Sequence, residues 1–376
     1  MTSNRGERTF EGIMPAPQVL GAGLVTADIV QLCGPDWQPL ANEPAAYYAG
    51  GTVGNVLCYL AAFGWKTRLL GASGDDLLGD VVRKDLGRFG VDVDSLLVRR
   101  RTYTRRIAHR IVADGARRGA HRFSTDCFAC GRDFPMFPPP KYEEVKALTA
   151  DAINESTVLL IDRANEFTSE LASRVSQIGG LVVFEPGYLS RNKDVVADVL
   201  SKTDVLKYSN ELEWNDRPFS QFLERKRYPR LKLVIETRSA KGVRARRGNK
   251  EITLSMTPIM QVHDTAGAGD AFMAGFLTGL GQQRVHEVAT VTDRVLEESL
   301  QRGQALGALA CLFVGSKGLL YGKPLAEIED AIRTTWRQRR PPNEFESTQL
   351  ARSDLVPTDI SPGLCRVCLM PTSERR

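Results

Sequence analysis

Cysteine is scarce in this chain: seven in 376 residues, an odd number, which argues against a disulfide framework and fits a reducing compartment. Long apolar runs are missing too. No segment approaches the roughly 18 uninterrupted apolar residues of a membrane span, and the polar start, Met1 to Glu11, lacks the apolar core of a signal peptide. The expectation is a cytoplasmic protein with no membrane partner. Charge of one sign is not in large excess: 50 Lys and Arg against 45 Asp and Glu leave +5. That balance mildly favours an anionic ligand, and no run is basic and aromatic enough to bind nucleic acid. Neither a Walker P-loop nor a protein-kinase glycine loop is present. The early Gly21-Ala22-Gly23 has Thr26 where a dinucleotide fingerprint needs its third glycine, which argues against a dehydrogenase.

Apolar (42%) and charged (25%) fractions are ordinary, so a sizeable core is expected. Short β-branched runs at Thr157 to Ile161, Leu181 to Phe184, Asp204 to Leu206 and Leu231 to Glu236 follow a first apolar strand, Val19 to Val25. They alternate with helix-like segments such as Glu166 to Ile178 and Lys193 to Leu200. Such alternation implies an α/β fold with a central, mostly parallel sheet flanked by helices. Ligands in such sheets bind at the carboxyl ends of the strands, where Asn210, Thr237 and a turn at Asp264 fall.

That turn, Asp264-Thr265-Ala266-Gly267-Ala268-Gly269-Asp270, leads into an apolar run from Ala271 to Leu280. Glycines before a helix let the backbone approach a ligand, and the unpaired N–H groups of the helix start attract an anion. Asp270 favours the helix dipole as a simple cap, or it stands beside a bound phosphate as a base. The turn by itself leaves both readings open.

The whole string resembles the C-terminal signature of the ribokinase-like (PfkB) family of carbohydrate and nucleoside kinases, Asp-Thr-x-Gly-Ala-Gly-Asp, at every fixed position. Other stretches resemble the family in order over about residues 18 to 320: Asp28 after the first strand, Gly50-Gly51 with Asn55, Gly74-Asp75-Asp76-x-x-Gly79 leading to Gly90-Val91-Asp92, the Asn210-x-x-Glu213 pair, and the loop Thr237 to Gly242. Where that loop often carries glycine, Ser239 stands here.

The resemblance implies a ribokinase-like kinase domain over residues 18–336, between extensions 1–17 and 337–376. It implies a small β-sheet lid from strands near 36–50 and 99–125, with a turn at Asp114-Gly115, often shared between two subunits as a homodimer. It also implies ATP-dependent phosphorylation of a hydroxyl on a sugar or sugar-derived molecule. Asp270 would be the base, and Gly267, Ala268 and Gly269 the anion hole. Asp28, Gly50, Gly51 and Asn55 would hold the sugar. Asn210, Thr237 and Gly242 would line the nucleotide site, and Glu213 would position magnesium indirectly. Asp264 and Thr265 would hold a monovalent cation such as potassium. A nucleoside kinase of the same family and a catalytically silent sugar-binding relative are the alternatives.

Three features lie outside the resemblance. Arg99, Arg100, Arg101, Arg105, Arg106, Arg110, Arg117, Arg118 and Arg122 crowd the lid, as solvated edge residues or as a fork set for a phosphorylated or acidic sugar. Cys127-x-x-Cys130 and Cys365-x-x-Cys368 have knuckle spacing, so the four thiolates could form a structural zinc site or remain unligated. The proline-rich stretch from Cys127 to Pro140 reads as an extended connector.

Overall fold

The computed structural model describes residues 18–345 except 41–42, 114–117, 129, 150–152, 155–156, 226–227, 260–261, 283 and 343–344. The N-terminal extension, the Asp114-Gly115 turn, Arg117, nearly all of the C-terminal extension and both Cys365 and Cys368 lie outside these residues.

The chain opens with strands β1 (Gln18–Ala22), β2 (Thr26–Cys33) and β3 (Ala46–Gly50), helix α1 (Thr52–Ala62), β4 (Lys66–Gly74), α2 (Leu77–Arg88), β5 (Leu96–Arg99), β6 (Arg106–Val112) and β7 (His121–Ser124). Next come α3 (Tyr142–Thr149), β8 (Val158–Arg163), α4 (Glu166–Gln177), β9 (Leu181–Tyr188), α5 (Lys193–Lys202), β10 (Val205–Ser209), α6 (Phe219–Arg225) and β11 (Leu233–Thr237). Strands β12 (Val243–Arg247) and β13 (Lys250–Leu254) are followed by α7 (Ala268–Leu280), α8 (Asp293–Ala310), α9 (Gly318–Gly322) and α10 (Leu325–Gln338).

Among the described residues, nine strands form the central sheet in the order β13-β12-β11-β10-β9-β8-β1-β4-β5. It is parallel except at the edge, where β11, β12 and β13 pair antiparallel. Burial on both faces is visible within single strands. Val158 and Leu160 of β8 join the core that includes α1, α7 and α8, whereas Leu159 and Ile161 join the core that includes α4 and α5. This is the pattern of a sheet covered by helices on both sides. Helices α7 and α8 approach closely through small residues: a Cβ on Gly275 would lie 2.9 Å from the Cα of Gly303.

A second sheet, β3-β2-β6-β7, has β2 parallel to β6 and antiparallel pairs on either side. Its makeup differs from the sequence expectation in two ways. The first apolar strand does not run on to Val25: β1 ends at Ala22, and β2 starts at Thr26 in the small sheet, so Asp28 is a lid residue. The crossing falls at Gly23, where a Cβ would lie 2.0 Å from the Asp162 carboxylate, leaving no room for a side chain. Residues 36–40 form no strand, and β5, ending at Arg99, belongs to the central sheet. Apolar residues continue through Ala22, Val25, Ala27 and Ile29, all buried, and that continuity hides the change of sheet.

Candidate active site

Helix α7 starts because Gly267 turns the chain. Its φ of 74° is left-handed, and a Cβ there would sit 2.5 Å from the Ser316 carbonyl oxygen, so both conformation and space call for glycine. Asp270 then lies in the first helical turn, 9% exposed. Its Oδ2 accepts a hydrogen bond from Asn55 Nδ2 at 2.7 Å. Asn55 is in turn fixed by α1, which starts after Gly51 (φ 94°), where a Cβ would meet the Leu24 carbonyl oxygen at 2.0 Å. Asn55 Oδ1 accepts from Ser316 Oγ at 3.2 Å and from Lys317 Nζ at 3.4 Å.

Charged residues cluster around this turn. Lys207 of β10 donates to Glu185 of β9, and both are buried. A Cβ on Gly269 would lie 2.7 Å from Lys207 Nζ, so the ammonium sits directly against the glycine turn. Burial raises the Asp270 carboxyl above the usual carboxylate range, opposed by the Lys207 charge and the Asn55 hydrogen bond. Burial also pushes Glu185 up to about 7 against the pull of Lys207. Asp162, at the end of β8, is raised by burial with Arg163 opposing. On the lid side, Asp28 accepts from Thr26 Oγ1 at 2.8 Å and is pushed up to about 6, first by burial and further by the nearby Asp270 and Asp85 charges. Gly50 gives this carboxylate its space, since a Cβ there would lie 2.1 Å from it. Buried Lys317 donates to the Ala49 carbonyl and lies 3.6 Å from Asp85.

Among the described residues, one cavity borders the turn and a second lies beside Asp28. The larger, about 490 Å³, is walled by Lys207, Thr237, Gly242 and Gly269, with Val243, Ile259 and Ala308 as apolar surface. A site that is mostly apolar with a few convergent polar groups suits a nucleotide-sized ligand. Ser239 also lines it, at φ 46°, a left-handed conformation that explains why glycine is frequent at this loop position. The smaller cavity, about 10 Å³ beside Asp28, Tyr48, His109 and Lys317, has room for about one water.

The remaining predicted residues are placed as follows. Asn210 and Glu213 are exposed in the turn after β10. The Asn210 N–H donates to the Thr237 carbonyl at 2.8 Å. Glu211, not Glu213, lines the large cavity, where it accepts from Ser239 Oγ at 3.0 Å. These oxygen donors fit magnesium, which takes oxygen ligands and retains waters. Asp264 is fully buried; its Oδ1 accepts from Ala266 N at 3.0 Å and its Oδ2 from Gly315 N at 2.9 Å. With Thr265 it offers oxygen donors that fit a hard monovalent cation. Cys127 is buried and Cys130 exposed; their proposed zinc partners lie outside the described residues. Arg106 is not a solvated edge residue: it is 1% exposed and bonds Asp76 at 2.5 Å. Arg99 and Arg110 also engage carboxylates, Glu144 and Asp126.

Sequence reading missed Lys207, Glu185, Asp162 and Lys317 as site residues. Lys207 and Glu185 carried a signal. Each is the one charge in its strand of a buried sheet, and buried charges are rare unless paired or functional.

A parallel sheet flanked by helices, with a small second sheet beside its carboxyl edge, is the architecture of the ribokinase-like kinases. Residues 39–319 match the pfkB family carbohydrate kinase family, and the chain belongs to it. A fructokinase of Rhizobium leguminosarum bv. trifolii is 26% identical over 279 residues, covering 68% of this chain and 80% of the relative. An aminoimidazole riboside kinase of Salmonella typhimurium is 26% identical over 291 residues, covering 74% and 85%. A crystal structure of a fructokinase with bound ATP from Xylella fastidiosa shares the fold, with a TM-score of 0.63, 22% identity and coverage of 85% and 98%. The protein is therefore an ATP-dependent kinase of the sugar and nucleoside class. No described helix is long and apolar enough to cross a membrane.

Proposed function

We propose that the protein transfers the γ-phosphoryl group of ATP to a hydroxyl of a sugar or sugar-derived molecule, with Asp270 as general base. One observation carries this reading: the Asn55–Asp270 hydrogen bond joins the segment that would hold the sugar to the turn that would hold the phosphate. Asp28 and Asn55 orient the sugar, with Gly50 leaving space for the Asp28 carboxylate and Gly51 setting the start of α1 that carries Asn55. Asp270 takes the hydroxyl proton as the oxygen attacks the γ-phosphorus, the bond from that phosphorus to the β–γ bridging oxygen breaks, and ADP leaves. The backbone N–H groups of Gly267, Ala268 and Gly269 meet the charge that develops on the transferred group. Lys207, against Gly269, adds a fixed positive charge on the same side.

Thr237 and Gly242 border the nucleotide. Asn210, Glu211 and Glu213 would hold magnesium through water, and Asp264 and Thr265 the monovalent cation. When bound, these ions neutralise phosphate charge and stiffen the turn. The lid sheet excludes water from the transferred group. Its β3 and β7 edges suit pairing with a second copy, as a homodimer. Pairing of Arg99, Arg106 and Arg110 within the chain supports a neutral sugar over one already phosphorylated. Buried thiols at Cys33, Cys58 and Cys311 fit a cytoplasmic enzyme.

The test is incubation of purified protein with ATP, magnesium and a panel of sugars, sugar acids, sugar phosphates and nucleosides. Phosphorylation of a neutral sugar, lost in Asp270→Asn, is the expected result. The reading fails if no panel member is phosphorylated and wild type and Asp270→Asn behave identically.

A further inference from the structure

Lid strands β6 and β7 place two imidazoles against the buried carboxylate of the α7 turn. His109 pairs with Phe123 and Ile111 with His121 across the two strands, so His109 and His121 are diagonal neighbours on one face. His109 Nε2 lies 3.8 Å from Asp264 Oδ1 and His121 Nδ1 lies 3.5 Å from the same oxygen. One ligand atom from each of the three residues falls within 4.8 Å of the others. We propose that His109, His121 and Asp264 form a binding site for a transition metal of the zinc type, which ties the lid to the catalytic turn.

Four observations support the assignment. Zinc bonds of about 2.0–2.1 Å in a tetrahedron set ligand atoms roughly 3.3–3.4 Å apart; the two imidazole–carboxylate separations, 3.8 and 3.5 Å, are close to that, while the two ring nitrogens, within 4.8 Å of each other, must approach further. His109 is 2% exposed, and its Nε2 has no hydrogen-bond partner among the described residues. A buried polar nitrogen left in that state is costly, and a metal beside Asp264 Oδ1 removes the cost. The carboxylate is pre-oriented, because Ala266 N and Gly315 N already bond its two oxygens, as outer partners do for metal ligands. The His109 ring is likewise held, stacked on Phe123 at 4.4 Å between centroids.

Two imidazoles and a carboxylate suit zinc, copper or nickel, whereas potassium, magnesium and calcium prefer all-oxygen sets. The donor set thus differs from the all-oxygen set expected at Asp264 and Thr265, with the Asp264 carboxylate common to both. Three protein ligands leave a fourth position, next to Thr265 Oγ1, which now lies 3.2 Å from His121 Nδ1. Two ligands belong to the lid and one to the turn. Occupancy would hold the lid in the arrangement seen here, in which the cavity beside Asp28 is about 10 Å³.

The experiment uses untagged full-length protein without ATP or sugar. Wild type, His121→Gln, the double variant His109→Gln/His121→Gln and a Cys365→Ser/Cys368→Ser variant are dialysed against micromolar zinc, then assayed for metal, melting temperature and amide exchange. One zinc per chain is expected in wild type and in the cysteine variant, with a raised melting temperature and slowed exchange over β6 and β7. His121→Gln, altered at a side chain 26% exposed and so expected to fold, should lose the zinc-induced melting shift. Cobalt in place of zinc should give ligand-field bands without a thiolate charge-transfer band. The proposal is overturned by absence of zinc from wild type, by full retention of that zinc in the histidine variants, by its loss in the cysteine variant, or by bound zinc that leaves β6 and β7 exchange unchanged. None of these outcomes depends on kinase activity.

Discussion

Asn55 Nδ2 donates to Asp270 Oδ2 at 2.7 Å, linking residues 215 positions apart in the chain. The bond holds a buried carboxylate that also lies in the field of the Lys207 and Lys317 charges. The same carboxylate lies in the first turn of α7, next to Gly269, which borders the nucleotide-sized cavity.

Replacing the base while keeping its shape separates chemistry from fold. Asp270→Asn should lower kcat by about 100- to 10,000-fold, the usual contribution of a positioned base. Its melting temperature should hold or rise, because a neutral amide replaces a buried carboxylate. Since burial raises the Asp270 pKa and the base acts ionised, wild-type kcat/KM should climb with pH through a value above the ordinary carboxylate range. Steady-state kinetics and thermal melts of both proteins check this.

Asp28 makes stability depend on pH in a definite direction. Its carboxyl moves from an ordinary 3.8 to about 6 in the fold, so between these values the native state holds a proton that the unfolded chain has released. The contribution is complete below 3.8 and lost as pH rises through about 6. Asp28→Asn removes this group, and the difference in melting temperature, variant minus wild type, should increase as pH rises across that window. A difference that stays flat with pH would contradict the assigned shift.

The Lys207–Glu185 pair is buried on both sides, at 5% and 7% side-chain exposure. Lys207→Met leaves Glu185 with no partner charge and should cost roughly 3–5 kcal/mol in denaturant unfolding. Lys207→Met/Glu185→Gln should recover most of that stability, since neither charge is then stranded. Activity should not recover, because the ammonium against Gly269 is still missing. A double variant that regains wild-type kcat would reduce the pair to a structural role.

Gly267 combines a left-handed φ with a blocked Cβ position. Gly267→Ala should cost on the order of 1–3 kcal/mol of stability and lower kcat by displacing the turn. Gly248 is the control. It also has positive φ, 59°, but nothing lies within 4 Å of a Cβ placed there, and asparagine tolerates left-handed backbone. Gly248→Asn should therefore unfold near the wild-type denaturant midpoint with unchanged kcat.

The alternation that predicted strands at Leu181 and Leu231 and a helix at Glu166 reappears within a few residues of the observed limits, because buried strands and amphipathic helices carry their periods locally. The glycine turn was equally legible, since Gly267 must occupy a conformation that other residues avoid. What the local pattern concealed was the partition between sheets. Ala27 and Ile29 are as apolar as Leu20 and Ala22, and hydrophobicity does not say which sheet a strand joins. Asn210 and Glu213 were legible as a motif, but side-chain direction in a turn depends on the loop around it, and there the cavity wall is formed by Glu211.

The sequence by itself determined an α/β chain with a helix that starts at a glycine turn, because backbone sterics and hydrophobic period act over neighbouring residues. Only the tertiary structure decided that Asn55 meets Asp270, that Lys207 sits against Gly269, and that His109 and His121 face Asp264. Those contacts join segments distant in the chain, and they arise from the parallel crossovers and the docking of the lid.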